Sequence, residues 1–233
     1  MIYVVPVQGP ILTNSYLYAD DATQHAFVID PGFESERIVA AVRDKGLTVE
    51  RVLVTHGHFD HIGAARDVAQ TLGVPICAGE RSRKYFRDPT YNLSRQFLPP
   101  DGFMIPEDEV TFLADDAVVS LEQGSLALRL VPTPGHTEDG TMYVTENAFE
   151  VVVENTDGTE NSVAAKNAPC VAFVGDTIFK ASYGATRFPG GDEATLLASI
   201  RTQILTLPDD TVLFSGHSEP TTVGEEKTRP WYG

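Results

Sequence analysis

One run of seven residues restricts this chain more than any other feature. Thr55-His56-Gly57-His58-Phe59-Asp60-His61 sets three imidazoles and a carboxylate close together, directly after the strand-like stretch 51–54. Packed without a ligand, three imidazoles would leave buried donors and acceptors unsatisfied, so the run does not read as ordinary core. Neutral imidazole and carboxylate are the donor types of zinc, iron and manganese sites. A strand-to-helix turn can aim neighbouring side chains at one point where a continuous helix cannot. Gly57 lets the backbone pass close to bound ions.

His136, Asp176 and His217 each follow an apolar, strand-like run, at 126–131, 170–174 and 212–214. Taken singly, each has an ordinary explanation: a lone histidine at a strand end is usually a cap or a core residue, and Asp176 alone would cap a turn. Together with the first cluster they occupy the region beyond strand ends where ligands gather in open α/β sheets, which predicts that the seven side chains converge. Five of the six histidines fall in these clusters, leaving His25 as the outsider.

The rest of the pattern is α/β. Strand-like runs at 2–7, 15–18 and 26–29 lead through Pro31-Gly32 into a helix over 34–45, with Ile38, Val39 and Val42 on one face and Gly46 placed to stop it. A buried strand at 51–55 precedes a helix over 62–72 ended by Gly73, then a short strand at 74–78. Breakers at Asp88-Pro89, Pro99-Pro100-Asp101-Gly102 and Pro106 make 79–116 the least regular part, a candidate lid. Strand signals resume at 117–121, 126–131, 142–144, 149–154 and 170–174, with 155–167 as an exposed hairpin tip. A helix over 192–205 and a strand at 212–214 complete the pattern. No linker divides it, so residues 1–233 are expected to form one domain.

With 233 residues, 42% of them hydrophobic, the chain can bury a large core. Residues 1–8 lack the basic start and long apolar run of a signal peptide, and no later run approaches the ~18 apolar residues of a membrane helix. The cytoplasm is therefore the expected location, with no membrane partner. Cys77 and Cys170 are expected as buried thiols rather than a disulfide framework. A net charge of −16 repels a phosphate backbone, so the expected partner is a small molecule and not a nucleic acid. The sequence specifies no oligomeric state.

The sequence resembles the metallo-β-lactamase-like superfamily. The H-x-H-x-D-H signature is matched by His56, His58, Asp60 and His61, T-P-G-H-T by Thr133-Pro134-Gly135-His136-Thr137, and G-D and G-H by Gly175-Asp176 and Gly216-His217. Thr13-Asn14-Ser15-Tyr16, Ile29-Asp30-Pro31-Gly32 and Gly224-Glu225-Glu226-Lys227 resemble the branch containing glyoxalase II, the hydroxyacylglutathione hydrolases, and its shorter relatives. The resemblance implies an α/β fold of αββα sandwich type, made of two similar halves, with two divalent metal ions at one edge. Zinc is the first expectation, iron or manganese the alternatives. It further implies that His56, His58 and His136 hold the first ion, that Asp60, His61 and His217 hold the second, and that Asp176 bridges both together with a hydroxide. Asp60 would also orient the nucleophile, which makes Asp60 and Asp176 the catalytic residues. Such a site lowers the pKa of water to ~7 and polarises a carbonyl. The implied activity is hydrolysis of a thioester such as S-lactoylglutathione. The alternative is a persulfide dioxygenase using one iron on His56, His136 and Asp176, followed by lactone, other ester, β-lactam or phosphodiester hydrolysis.

Two departures from the family pattern bear on the substrate. Many members of the glyoxalase II branch, and the related persulfide dioxygenases, carry G-R-x-D-F after the bridging aspartate, whereas this chain reads Gly184-Ala185-Thr186-Arg187-Phe188, so an ion pair of that kind cannot form in the same way. Tyr183 and Arg187 are candidate substrate contacts here, Arg187 being equally readable as an exposed loop charge. Full-length glyoxalase II also has a helical extension that supplies part of its glutathione site, whereas this sequence stops at Gly233, sixteen residues after His217. Anion recognition then falls to the densest basic run, Arg81, Arg83, Lys84, Arg87 and Arg95, which holds five of the seventeen basic residues among Tyr85, Phe86, Tyr91 and Phe97. Arg87 is the third candidate contact for an anionic acyl thiol, although a solvated helix face explains the same run. Outside the ligands, the motifs offer no proton donor for a leaving group. A thiol, with a pKa of ~8.5, needs none.

Overall fold

The computed structural model describes residues 1–145, 152–156 and 170–229. The chain opens with three antiparallel strands, β1 (Ile2–Gln8), β2 (Leu12–Ala19) and β3 (His25–Ile29). Helix α1 (Ser35–Asp44) then crosses to β4 (Thr48–Val54), parallel to β3. Short helices α2 (Phe59–Ile62) and α3 (Ala65–Leu72) lead to β5 (Ile76–Gly79), and α4 (Arg83–Arg87) and α5 (Ser94–Phe97) lead to β6 (Val110–Leu113), both parallel additions to the same sheet. The second sheet begins with an antiparallel meander, β7 (Val118–Ser120), β8 (Ala127–Pro132) and β9 (Thr141–Thr145). From there β10 (Val153–Asn155) pairs in parallel with β1 at the edge of the first sheet. β11 (Val171–Gly175) joins β9, and the small hairpin β12 (Ile178–Phe179) and β13 (Ser182–Tyr183) follows. Helix α6 (Glu193–Ser199) continues as a π-type turn over Ile200–Ile204, and β14 (Val212–Ser215), β15 (Thr221–Thr222) and α7 (Val223–Lys227) end the described chain. The sheet orders are β10-β1-β2-β3-β4-β5-β6 and β15-β14-β11-β9-β8-β7.

Strand side chains alternate between two apolar layers because successive residues point to opposite faces. Tyr3, Val5 and Val7 of β1 pack under α1 and α3, whereas Ile2 and Val4 face the second sheet. Val52 and Val54 of β4 divide from Leu53 in the same way. Aromatic rings fill the space between the sheets: Phe173 stacks on Phe214 at 5.3 Å, and Tyr16 meets both. On the outer face of the second sheet, Leu196, Ile200 and Ile204 cover Val144, Ala172 and Val174. Helices therefore cover both outer faces and the two sheets pack face to face, the expected αββα sandwich.

Several local expectations change. The helix expected over 62–72 begins at Ala65, separated from the short helix α2 because the Ala64 amide donates to Pro31 O instead of continuing the helical ladder. Gly73 ends α3 in the left-handed region at φ 71°. Segment 79–116 is more ordered than its breakers suggest, since β6 extends the first sheet from within it. The strand expected at 149–154 begins outside the described residues and is described over Val153–Asn155, paired with β1. The expected hairpin tip lies outside the described residues beyond Thr156. Cys77 is buried, but Cys170 is only half-buried, its thiol lying against Thr145. No helix among the described residues is long and apolar enough to cross a membrane.

Candidate metal centre

Three of the four strand ends named by the sequence lie at one edge of the sandwich, with the loop after β8 beside them. Backbone bonds lock them together: Thr141 N to Thr55 O, Gly216 N to Gly175 O and Asn14 N to Gly216 O, at 2.9, 3.0 and 2.7 Å. Residue size allows the close approach. A Cβ on Gly216 would collide with Asp176 Oδ1 and the His61 ring, and one on Gly184 would collide with the Asp176 carbonyl.

All seven expected ligands converge. His58 Nδ1 lies 3.2 Å from His56 Nε2 and 3.0 Å from His136 Nε2, so three ring nitrogens face one another. Beside them, His217 Nε2 lies 3.2 Å from Asp60 Oδ2 and 3.1 Å from Asp176 Oδ2, and His61 Nε2 lies 3.2 Å from Asp176 Oδ1. Asp176 Oδ2 is also 3.6 Å from His136 Nε2, so this carboxylate faces both groups. Six of the seven side chains are buried and His217 is half-buried.

The electrostatics separate the two groups. Burial, reinforced by neighbouring imidazoles, holds His56 well below its ordinary pKa and His58 at about 3, and burial also lowers His136. These rings keep their lone pairs at neutral pH. At His61, burial favours the neutral ring but the charges of Asp176 and Asp30 outweigh it and raise the pKa well above the ordinary value. His217 is likewise raised to about 10, with Asp176 and Asp60 outweighing burial. Burial opposes ionisation of both carboxylates, but the adjacent imidazoles hold Asp60 below its ordinary value and Asp176 well below it.

A divalent ion suits this donor set. A proton on His58 Nδ1 can serve only one of its two neighbours well, so at least one ring-nitrogen lone pair is left facing inward for an electrophile. His61 Nε2 and Asp176 Oδ1, though close, make no hydrogen bond and are buried without a partner. The groups His56-His58-His136, His56-His61-Asp176 and Asp60-His61-His217 each bring their ligand atoms within 4.8 Å of one another.

Partners behind the rings set which nitrogen faces inward. His61 Nδ1 bonds Asp30 Oδ2 at 2.9 Å, His136 Nδ1 bonds Ala185 O at 2.6 Å and His217 Nδ1 bonds Leu12 O at 2.8 Å. Each acceptor receives a hydrogen bond from Nδ1–H, which leaves Nε2 as the inward-facing atom. Asp30 also accepts the Thr55 amide and hydroxyl at 2.7 and 2.6 Å, from a backbone at φ 50° that aspartate tolerates better than bulkier residues. Sequence reasoning gave Asp30 no role, although Ile29-Asp30-Pro31-Gly32 marked its place. The Ala185 carbonyl carries no sequence signal. Through it, the segment that departs from the G-R-x-D-F pattern contributes by its backbone.

The three candidate substrate contacts differ in position. The Arg187 guanidinium lies 4.7 Å from the Phe188 ring centre, and that ring meets His58 edge-on at 5.9 Å. The Tyr183 hydroxyl donates to Glu193 Oε1 at 2.7 Å. Arg87 is exposed and paired with Glu107 at 3.3 Å. The rest of the basic run is similarly engaged: Arg81 with Asp115, Arg83 with Glu80 and Glu107, Lys84 with Glu138, and Arg95 with the Thr90 hydroxyl. It forms a solvated, acid-paired face.

The model of the metallo-beta-lactamase superfamily matches residues 8–149. Hydroxyacylglutathione hydrolase GloC of Haemophilus influenzae is 30% identical over 97% of this chain and 94% of that protein. The crystal structure of BLEG-1 B3 metallo-beta-lactamase superposes with a TM-score of 0.81 at 31% identity, covering 100% of this chain and 99% of that one. TTHA1623 in a di-iron-bound form superposes with a TM-score of 0.71 at 27% identity, covering 97% of this chain and 98% of that one.

Proposed function

Because the chain belongs to the metallo-beta-lactamase superfamily, we propose that it is a hydrolase with two divalent metal ions, zinc first and iron or manganese as alternatives, acting on thioesters such as S-lactoylglutathione. The observation that carries the two-ion reading is the placement of Asp176, whose Oδ2 lies 3.1 Å from His217 Nε2 and 3.6 Å from His136 Nε2. Bound ions would supply Lewis-acid polarisation of the substrate carbonyl and make water a nucleophile near neutral pH. His56, His58 and His136 would hold one ion, Asp60, His61 and His217 the other, and Asp176 both. The chain's own work is to hold these donors in register, with burial keeping His56, His58 and His136 neutral. Asp60, 3.2 Å from His217 Nε2, would also orient the attacking water.

The choice of thioester rests on the leaving group. Asp30 touches the cluster from outside, but it is buried and lies on the Nδ1 side of His61, away from the donor atoms. Among the described residues, no other non-ligand carboxyl is hydrogen-bonded to a ligand side chain. An amine or alkoxide needs a proton to leave, whereas a thiolate does not. The likeness to GloC supports the same reading, and the likeness to BLEG-1 makes a β-lactam the competing substrate. Substrates sharing one acyl group and differing in the leaving atom decide between them. We expect the thioester to be cleaved much faster than the matched amide or unactivated oxygen ester, with no oxygen consumed on glutathione persulfide. Equal or better turnover of the amide would overturn the thioester reading.

A further inference from the structure

Asp139 lies outside the seven ligands, yet it is 1% exposed, and among the described residues it is in no salt bridge. Burial pushes its carboxyl up to about 6, against the hydrogen bonds it receives. Oδ2 accepts the Gly57 amide at 2.9 Å, across 82 residues of sequence. The hydroxyls of Ser82 and Thr137, both fully buried, lie close enough to the same carboxyl to oppose that upward push. The Asp139 carbonyl accepts the Thr141 hydroxyl at 3.1 Å, and the Thr141 amide bonds Thr55 O at 2.9 Å. The loop around Asp139 thus grips the ligand turn at Thr55 and again at Gly57, on both sides of His56.

Gly57 separates His56 from His58, and its own freedom is small, because a Cβ there would collide with the Tyr85 side chain. The Tyr85 hydroxyl accepts the Glu138 amide at 2.9 Å, and Ser82 stands in the turn just before α4. The ligand turn, the segment covering it and the loop from His136 to Asp139 therefore meet at one carboxylate. An unpaired buried carboxylate opposes stability, so a residue kept for packing alone would be expected to be neutral.

We propose that Asp139 is a positioning residue of the metal centre: by holding the Gly57 amide it fixes the spacing of His56 and His58, and with it the affinity of the first ion. This rests on the reading that His56, His58 and His136 hold an ion, but not on the identity of the substrate. The role belongs to the acceptor oxygen, so an amide side chain can fill it and a methyl group cannot.

The test uses the full chain as Asp139→Ala and Asp139→Asn, with Asp139→Ser replacing the alanine variant should the cavity unfold it. Metal-free protein is titrated with zinc in competition with a chromophoric chelator, which gives two dissociation constants without any substrate. His58→Ala identifies which constant belongs to the first group. Asp139→Ala is expected to weaken the first ion about 10–100-fold, as loss of an orienting partner does, and the second by less than about threefold. Asp139→Asn is expected to recover most of the affinity, with neither variant lowering the melting temperature of the metal-free protein. Unchanged constants, an asparagine variant as weak as the alanine one, or parallel loss of both ions with a lower melting temperature would each overturn the proposal. A parent protein that binds no ion removes the metal centre and this role together. Failure of the parent to cleave thioesters refutes only the choice of substrate.

Discussion

Leu12 and His217, 205 residues apart, are joined by a 2.8 Å hydrogen bond from the imidazole Nδ1 to the backbone carbonyl. A histidine from the end of the second sheet is thus oriented by the start of β2 in the first. Asn14, two residues along that strand, holds the same turn: its Nδ2 donates to Ser215 O at 3.1 Å and Ser218 O at 2.9 Å.

Asn14→Ala should therefore act on one ion. Removing both donors leaves the Ser218 carbonyl to water or to nothing, while Ser215 O keeps the Tyr16 hydroxyl, at about 1 kcal/mol of stability. The second ion should bind about 10-fold more weakly through loss of orientation, while the first is unaffected. Thermal melts and chelator competition check both parts, and equal weakening of the two ions would contradict the assignment.

Asp176→Ala is expected to remove both ions and nearly all activity, since its carboxylate faces both donor groups. His25→Ala is the control. That ring bonds Glu50 at 2.7 Å and takes no part in the cluster, so metal content and rate should stay within about twofold of the parent. Elemental analysis and steady-state rates measure this, and a His25 defect as large as that of Asp176 would show the ligand assignment to be wrong.

Acid should loosen the contact between the sheets at Asp20. Its carboxylate accepts the Ser125 amide and hydroxyl at 2.7 and 2.8 Å and the Ala22 and Thr23 amides at 2.9 and 3.1 Å. These bonds, the Ser125 amide first, hold its pKa at about 2 against an ordinary 3.8. A depressed carboxylate pKa contributes stability above the unfolded value and loses it as pH falls through the folded one, so the window runs from pH ~4 down to ~2. The contribution is about 2 kcal/mol at neutral pH. Asp20→Asn should show that deficit in urea unfolding at pH 7, and the gap from the parent should narrow below pH 4. A constant gap across that range would count against this account.

The ligands could be read from the sequence because four of them sit in one six-residue run and the other three directly follow apolar strands. Their supports could not. Ala185 contributes a carbonyl that every residue possesses, and Asp139 acts on Gly57 from 82 positions away. Strand β6 is four residues long, too short for periodicity to register, and is fixed by β5 already in the sheet. The break between α2 and α3 has the same origin: Pro31 offers its carbonyl to the Ala64 amide, a competition that appears only when both segments are in place. Cys170 looked like core because its neighbours are apolar, but it stands at the entrance of β11, where burial is incomplete.

The donors are divided between the halves, His56, His58, Asp60 and His61 coming from the first and His136, Asp176 and His217 from the second. With ions held as proposed, each ion adds a cross-link between two pieces of chain that otherwise adhere at that edge through apolar contact and hydrogen bonds such as Asn14 N to Gly216 O. An ion at a hundred times its dissociation constant adds roughly 2.7 kcal/mol to the folded state by mass action. How firmly the halves are clasped then follows the metal supply of the surroundings, so that starvation for metal reduces the lifetime of the protein as well as its rate.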